Sequence, residues 1–293
     1  MKVSVYLITY NRKKLLERAI LSVINQTYKN IELIVVDDNS QDGTHEYLEA
    51  KYYEYNKLIN FQYYVNRENK GACFSRNRAI NIASGKFITG LDDDDYFKKD
   101  RIQNFINFWE IKSYNSICLF SNYHVISKNS SLITKLKPIV SQRDLLYINQ
   151  IGNQVFLERK NLLLINGFSE NMPAWQDLEC WYRLLVLGKA ENTFDATYVV
   201  DIGHSNERIS LSHSSKIKEA YEKICTNNRL DFFEKNILKS QILRYQINFS
   251  TYFSCLVISL ISFDIKLFKQ LHKNLCKGTF LRKWYNYIKK NYS

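Results

Sequence analysis

Residues 86–95 read Lys-Phe-Ile-Thr-Gly-Leu-Asp-Asp-Asp-Asp, a short apolar run that stops on four consecutive carboxylates. The run has the length and composition of a buried strand. Adjacent carboxylates raise one another's pKa unless a cation offsets them. A solvated acidic loop is the plain alternative, yet such a loop gains nothing from so much like charge at the end of an apolar strand. Working toward the N-terminus, residues 2–9 (KVSVYLIT) and Ile31 to Val36 are further apolar, β-branched runs, and Phe61 to Val65 is a third. Between them, Leu15, Leu16, Ala19, Ile20, Val23 and Ile24 recur at helical spacing. Asp42-Gly43-Thr44 reads as a turn and helix start, and Asn69-Lys70-Gly71 opens a helix running to about Ala83. Strands alternating with helices predict an α/β fold with a mostly parallel sheet flanked by helices.

Toward the C-terminus the rhythm loosens. A helix near 100–112, a strand at 116–121 and a helix around 177–187 stand among less regular pieces, and beyond 215 the pattern is helical. No internal repeat is seen. The expected organisation is one large α/β domain over 1–215, in two parts (1–100 and 101–215), followed by a helical segment over 216–293.

The chain has 293 residues, 45% of them hydrophobic, only two prolines and a formal charge of +12. That length buries a substantial core without staples. Its six cysteines are scattered with no C-x-x-C pair, so they read as reduced, buried apolar residues rather than disulfide or zinc ligands. The first apolar run, Val3 to Ile8, is too short for a signal-peptide core, which places the expected chemistry in the cytoplasm. Charge alone invites a nucleic acid, an anionic membrane or a phosphate-bearing substrate.

In an open parallel sheet, ligands bind at the carboxyl ends of the strands. Thr9-Tyr10-Asn11, Asp37-Asp38 and Asp92 to Asp95 all fall there. Asp37-Asp38-Asn39-Ser40 read alone is equally a turn capping the next helix. The aspartate run is a hard oxygen donor set suited to Mg²⁺ or Mn²⁺ bound together with substrate phosphates. Arg76 and Arg78 add positive charge nearby. Clefts lined by aspartates argue against a nucleic-acid partner. Residues 8–14 (ITYNRKK) lack the glycines of a pyrophosphorylase phosphate loop or a dinucleotide fingerprint.

Four stretches in order, VSVYLITYNR (3–12), IELIVVDDNSQDGT (31–44), NRENKGACFSRNRAINIASG (66–85) and FITGLDDDDY (87–96), resemble the nucleotide-binding half of family 2 glycosyltransferases, which have the GT-A fold. NGFSENMPAWQDLECWYRL (166–184) resembles their acceptor-side segment. The resemblance covers about residues 1–210. It implies an inverting, metal-dependent enzyme that moves a hexose or N-acetylhexosamine from a UDP-sugar to a saccharide hydroxyl. By the same resemblance Thr9 and Tyr10 line the base pocket and Asp38 accepts from the uracil ring. Gly71 and Arg76 belong to the nucleotide site. Asp92 and Asp94 form the Asp-x-Asp pair, Asp92 toward the ribose and Asp94 on the metal, with Asp93 between them. Asp177 matches the catalytic base, although the family's Glu-Asp pair is Gln176-Asp177 here. Read without the resemblance, Asp177 is a first-turn helix acid. His204 matches a metal ligand and Arg208 a diphosphate contact, on a loop that closes over the donor; a lone histidine is equally structural. Trp175 and Trp181 serve either a sugar face or the core.

Residues 247–263 (INFSTYFSCLVISLISF) carry no charge, and the basic residues that follow have Asp264 as their only acid. This suits peripheral binding to an anionic membrane as well as a helix packed within the protein. Relatives that build surface polysaccharides such as O-antigen often act on polyprenyl-diphosphate-linked acceptors, which would put the enzyme on the inner face of the cytoplasmic membrane.

Overall fold

The structure is a computed structural model that describes residues 1–203, 214–245 and 249–276. The chain forms two compact units. The first comprises Met1–Gln142, Gln150–Asn171 and Gln176–Asn206; the second comprises Arg143–Asn149, Met172–Trp175 and Glu207–Ser293.

The first unit begins β1 (Val3–Thr9), α1 (Lys13–Ile24), β2 (Ile31–Asp37), α2 (Thr44–Leu58), β3 (Asn60–Val65), α3 (Ala72–Ile82) and β4 (Phe87–Asp92). It continues with β5 (Tyr96–Phe97), α4 (Arg101–Ile111), β6 (Ser116–Phe120), β7 (Tyr123–Ile126), β8 (Ser131–Ile133) and β9 (Ile139–Val140). After α5 (Gln142–Tyr147), which leads into the second unit, come β10 (Phe156–Glu158), α6 (Arg159–Leu164), α7 (Gln176–Leu184), β11 (Lys189–Asn192) and β12 (Tyr198–Asp201). The main sheet has the order β3-β2-β1-β4-β10-β6-β11-β9, and a smaller one the order β5-β12-β7-β8. The strands β3, β2, β1 and β4 are mutually parallel, whereas β10 runs antiparallel to both β4 and β6.

The sequence dictates the parallel half directly. Every residue of β1 and β2 is buried, as the near-continuous apolar runs of a sheet covered on both faces require. Alternate residues Val3, Val5 and Leu7 join Leu16, Ala19 and Ile20 of α1 in one core cluster. The intervening Tyr6 and Ile8 point the other way, and α3 also lies against β1 and β2.

One polar device sits inside this apolar frame. Glu32 of β2 is fully buried. It accepts from Ser4 Oγ (2.5 Å), Ser84 N (2.6 Å), Ser84 Oγ (2.6 Å) and Gly85 N (3.0 Å), and pairs with Lys2 Nζ at 2.6 Å. It thereby ties β1 and β2 to the turn that launches β4. Burial works against its charge, but the bonds from Lys2, Ser4 and Ser84 prevail and hold the carboxyl at about 2 against an ordinary 4.5. A folded value below the unfolded one means that its contribution is complete above about pH 4.5 and is lost as the pH falls through about 2. Glu32→Ala strands these buried donors and is expected to cost about 3 kcal/mol. Urea denaturation at pH 7 and pH 3 checks this, and the difference from the parent should be smaller at pH 3.

The second unit contains α8 (Ser214–Asn227), α9 (Phe232–Lys239), α10 (Phe249–Ile261) and α11 (Ile265–Cys276). Asp231 and Glu234 form a reciprocal capping box at the start of α9. The 143–149 segment belongs to this unit through its backbone. Gln241 Nε2 donates to the carbonyls of Leu145 and Leu146, and Gln270 Nε2 to that of Tyr147. Among the described residues, no helix is long and apolar enough to cross a membrane.

Candidate active site

Strand register brings the three polar clusters to one edge. Ile8 of β1 is level with Asp92 of β4, and Thr9 with Asp37 of β2. The ladder runs one step further, Asp38 N donating to Thr9 O (2.9 Å) and Asn66 N to Asp37 O (2.8 Å). Strand order reverses between β1 and β4, which leaves a crevice at their carboxyl ends.

Each acidic residue there has a distinct environment. Asp38 is buried; its Oδ1 accepts from Asn66 Nδ2 (2.6 Å) and Lys70 N (3.0 Å), and its Oδ2 from Gly71 N (2.7 Å). It therefore shapes the loop that opens α3, and a base edge would share oxygens already engaged. Gly71 has φ +87, which a side chain would resist. Asp37 is fully buried, accepts from Ser40 through Oδ1, and has no hydrogen-bond partner at Oδ2. The turn-forming reading of 37–40 thus describes Asp37 and Ser40, while Asp38 reaches across to α3.

The four aspartates divide in two. Asp93 is buried, with Oδ2 taken by Thr9 Oγ1 (2.8 Å) and Oδ1 by Arg12 Nη1 (2.9 Å); burial pushes its carboxyl up to about 6, against the pull of Arg12. Asp95 is also buried, accepting from Asp201 N at 3.1 Å, and burial raises its pKa well above the ordinary carboxylate value. Asp92 and Asp94 keep 21% and 19% of their side chains exposed. Arg12 Nη1 also reaches Asp94 Oδ2 at 3.0 Å, and Arg18 Nη2 donates to the Asp94 carbonyl at 2.6 Å. Thr9 spends its hydroxyl on Asp93, whereas Tyr10 stands exposed.

Arg76 connects this edge to the start of α7. It is buried, its guanidinium lying over the Phe168 ring at 5.1 Å. Nη2 donates to Asp92 Oδ1 (3.2 Å), Nη1 donates to Gln176 Oε1 (3.1 Å), and Nη1 lies 3.9 Å from Asp177 Oδ1. Burial opposes its charge, but Asp92 and Asp177 more than compensate and raise its pKa. Asp177 sits at the start of α7 with Oδ1 buried and without a hydrogen bond, although 29% of its side chain remains exposed. Burial pushes its carboxyl up to about 7; Arg76 opposes this and Asp92 adds to it. A carboxylate oxygen without a hydrogen-bond donor, poised near neutrality, is equipped to take a proton.

Several neighbours were not legible as site residues. Asn153 Nδ2 donates to Asp92 Oδ2 (2.6 Å) and Gln154 Nε2 to Asp92 Oδ1 (3.0 Å), so neutral amides of an unremarkable Ile-Gly-Asn-Gln stretch orient the aspartate. Gln154 also accepts from Tyr6 OH at 2.8 Å, and a Cβ on Gly90 would collide with both of them. Arg78, read as a source of charge for the site, instead donates to Val65 O and Asn66 Oδ1 and lies over the Tyr64 ring. Trp181 is fully buried, its Nε1 donating to Gly152 O, which is the core role. Trp175 belongs to the second unit, beside Tyr245. Glu179, the nearest other acid on α7, is buried and paired with Arg183 at 2.7 Å. His204 and Arg208 lie outside the described residues.

Comparison with known proteins accords with this geometry. The model of the glycosyl transferase family 2 matches residues 4–160, more than half of the chain. WcaA of Escherichia coli K12, named for colanic acid biosynthesis, is 34% identical over 221 residues, covering 72% of this chain and 76% of WcaA. WfaP of Escherichia coli, a UDP-Glc:alpha-D-GlcNAc-diphosphoundecaprenol beta-1,3-glucosyltransferase, is 32% identical over 210 residues, covering 69% of this chain and 78% of WfaP. Residues 1–349 of S. aureus TarS, solved with UDP-GlcNAc, superpose with a TM-score of 0.68 at 21% identity, over 85% of this chain and 73% of that one; at this identity the likeness concerns the fold alone. Sheet order, motif placement and sequence kinship agree, and the chain belongs to the family 2 glycosyltransferases, with the GT-A fold.

Proposed function

We propose that this glycosyltransferase moves a hexose or N-acetylhexosamine from a UDP-sugar to a saccharide hydroxyl with inversion. We further propose that the acceptor is a polyprenyl-diphosphate-linked saccharide in bacterial surface-polysaccharide assembly, such as that of O-antigen. The observation that carries this reading is Arg76, which joins Asp92 on the donor side to Asp177 on the acceptor side. WfaP supports the donor and acceptor classes by its own name, and the TarS complex supports a UDP-sugar donor.

In this reading Asp177 Oδ1 accepts the proton of the acceptor hydroxyl as the hydroxyl oxygen bonds to the anomeric carbon. The bond from the anomeric carbon to the diphosphate oxygen breaks, and UDP leaves with the electron pair. One displacement inverts the centre. Arg76 holds Asp92 and Asp177 in register and stabilises negative charge between them. Asp38 and the Gly71 loop receive the base, while Thr9 and Tyr10 border its pocket.

Asp92 and Asp94 offer hard oxygen donors of the kind that take a divalent cation together with substrate phosphates. Asp92 and Asp94 are the partly exposed members of the aspartate run, and a guanidinium already lies between Asp93 and Asp94, where positive charge is required. Asp94, with His204, would hold Mn²⁺ or Mg²⁺, which when bound would offset the charge of the diphosphate leaving group. Arg208 would add to this. The acceptor class implies a peripheral position on an anionic membrane, at the inner face of the cytoplasmic membrane.

Labelled UDP-sugars offered with lipid-linked saccharide acceptors test the reading; it predicts one donor giving an acceptor-dependent product. Absence of product from every UDP-sugar, with UDP still bound, would overturn it. Asp38→Ala is expected to weaken UDP binding about ten- to a hundredfold, since a charged acceptor and the loop it holds are both lost. Calorimetric titration reads this, and an unchanged dissociation constant removes Asp38 from the site.

A further inference from the structure

The turn between α10 and α11, in the second unit, is built against the usual rules for a water-facing helix end. Phe263 is 89% exposed and adopts φ +52. Its place is the residue after the cap of α10, where Asp264 N closes back on Ser259 O (2.9 Å) and Phe263 N on Leu260 O (3.3 Å). That position is normally glycine or asparagine, because a bulky side chain is strained at positive φ. The turn is not loosely made. Asp264 Oδ1 accepts from Leu267 N at 2.9 Å, starting α11, and Tyr147 OH donates to Asp264 Oδ2. A strained aromatic is thus held out into solvent by well-bonded flanks.

Around it Leu260, Ile261, Ile265 and Phe268 are also exposed, giving an apolar tip on a helical hairpin whose inner residues Cys255, Leu267 and Leu271 are buried. Lys269 stands exposed on α11, Lys266 is paired with Asp144 Oδ1 at 2.5 Å, and the sequence after Asp264 contains no acid. An apolar tip followed by a sequence rich in lysine and free of acids complements an anionic bilayer, where apolar groups enter the acyl boundary and lysines meet headgroups.

We propose that the α10–α11 turn is a membrane-inserting wedge, with Phe263 its central residue and an anionic lipid bilayer its partner. The proposal rests on the peripheral-membrane reading given above. Backbone strain is retained at this turn because the side chain it presents belongs in lipid.

The test is co-sedimentation of the full chain with phosphatidylcholine vesicles with and without phosphatidylglycerol, alongside thermal melts and UDP titration. The parent should bind the anionic vesicles, and high salt should release it only in part. Phe263→Asn suits the positive φ and removes the apolar ring. It should lower vesicle partitioning about tenfold, given the free energy of burying one aromatic side chain, while Tm stays level or rises and UDP binding is unchanged. Phe263→Trp should restore partitioning. If Phe263→Asn binds like the parent, the wedge is overturned and the membrane reading survives; if the parent ignores both vesicle types, both fall while transfer activity stands. A Tm lowered by Phe263→Asn, or a dimer that it dissolves, would show the ring packed against protein and overturn the proposal.

Discussion

Asp177→Asn is expected to bind UDP like the parent and to turn over about 10²- to 10⁴-fold more slowly, the range for loss of a general base. Asparagine keeps the size and most of the polarity of the side chain and loses only its basicity. The same residue links activity to pH. Burial pushes its carboxyl up to about 7, so in the donor-free enzyme kcat/KM should rise with pH through about 7 as Asp177 loses its proton. Its effect on stability has the opposite sign. A carboxyl raised above its unfolded value near 3.8 favours the fold below that pH, and this contribution is lost as the pH rises through about 7. Asp177→Asn should therefore melt higher than the parent at pH 8 and close to it at pH 4. An inactive variant that is more stable at pH 8 would mark a group kept for chemistry. A rate near the parent's would move the base elsewhere, and Glu179, locked to Arg183, is poorly placed to replace it.

Asp94→Ala is expected to reduce transfer about a thousandfold, the equivalent of several kcal/mol of leaving-group stabilisation. Asp93 and Asp95 are buried, whereas Asp94 keeps 19% of its side chain exposed, so neither is well placed to take over its proposed role. Arg12 keeps its pairing with Asp93 when the Asp94 carboxylate is removed, so the loop around it should hold and UDP affinity should change much less than turnover. Steady-state rates against Mn²⁺ and Mg²⁺ concentration check this. Full activity of metal-free enzyme in excess EDTA would contradict the metal assignment.

The parallel half of the fold was legible because each of its strands is an apolar run with a polar stop, and those stops are what the register aligns. Thr9, Asp37 and Asp92 meet at one edge because β1 pairs with both β2 and β4. Among the later strands β6 was legible, expected at 116–121 and found at Ser116–Phe120, whereas β5 and β9 have two residues each, too short for any period to register. The helix expected at 177–187 ends instead at Leu184, as α7, before the turn to β11. Within the site, carboxylates announce themselves by charge, whereas Asn153 and Gln154 hold Asp92 through neutral amides that no spacing distinguishes. Arg12 was visible only as part of a motif; its pairing with Asp93 and Asp94 emerges once β1 and β4 lie side by side. Arg76 was placed with the nucleotide, but its reach to Asp177 joins residues about a hundred positions apart and needed the fold.

The proposed reaction turns on Asp177 receiving the acceptor's proton during a single displacement at the anomeric carbon. Proton NMR of the isolated product, made from an α-linked UDP-sugar, reads the outcome from the coupling of the anomeric proton. That mechanism predicts a β-linked product, formed by the parent and lost with Asp177→Asn. An α-linked product would contradict it.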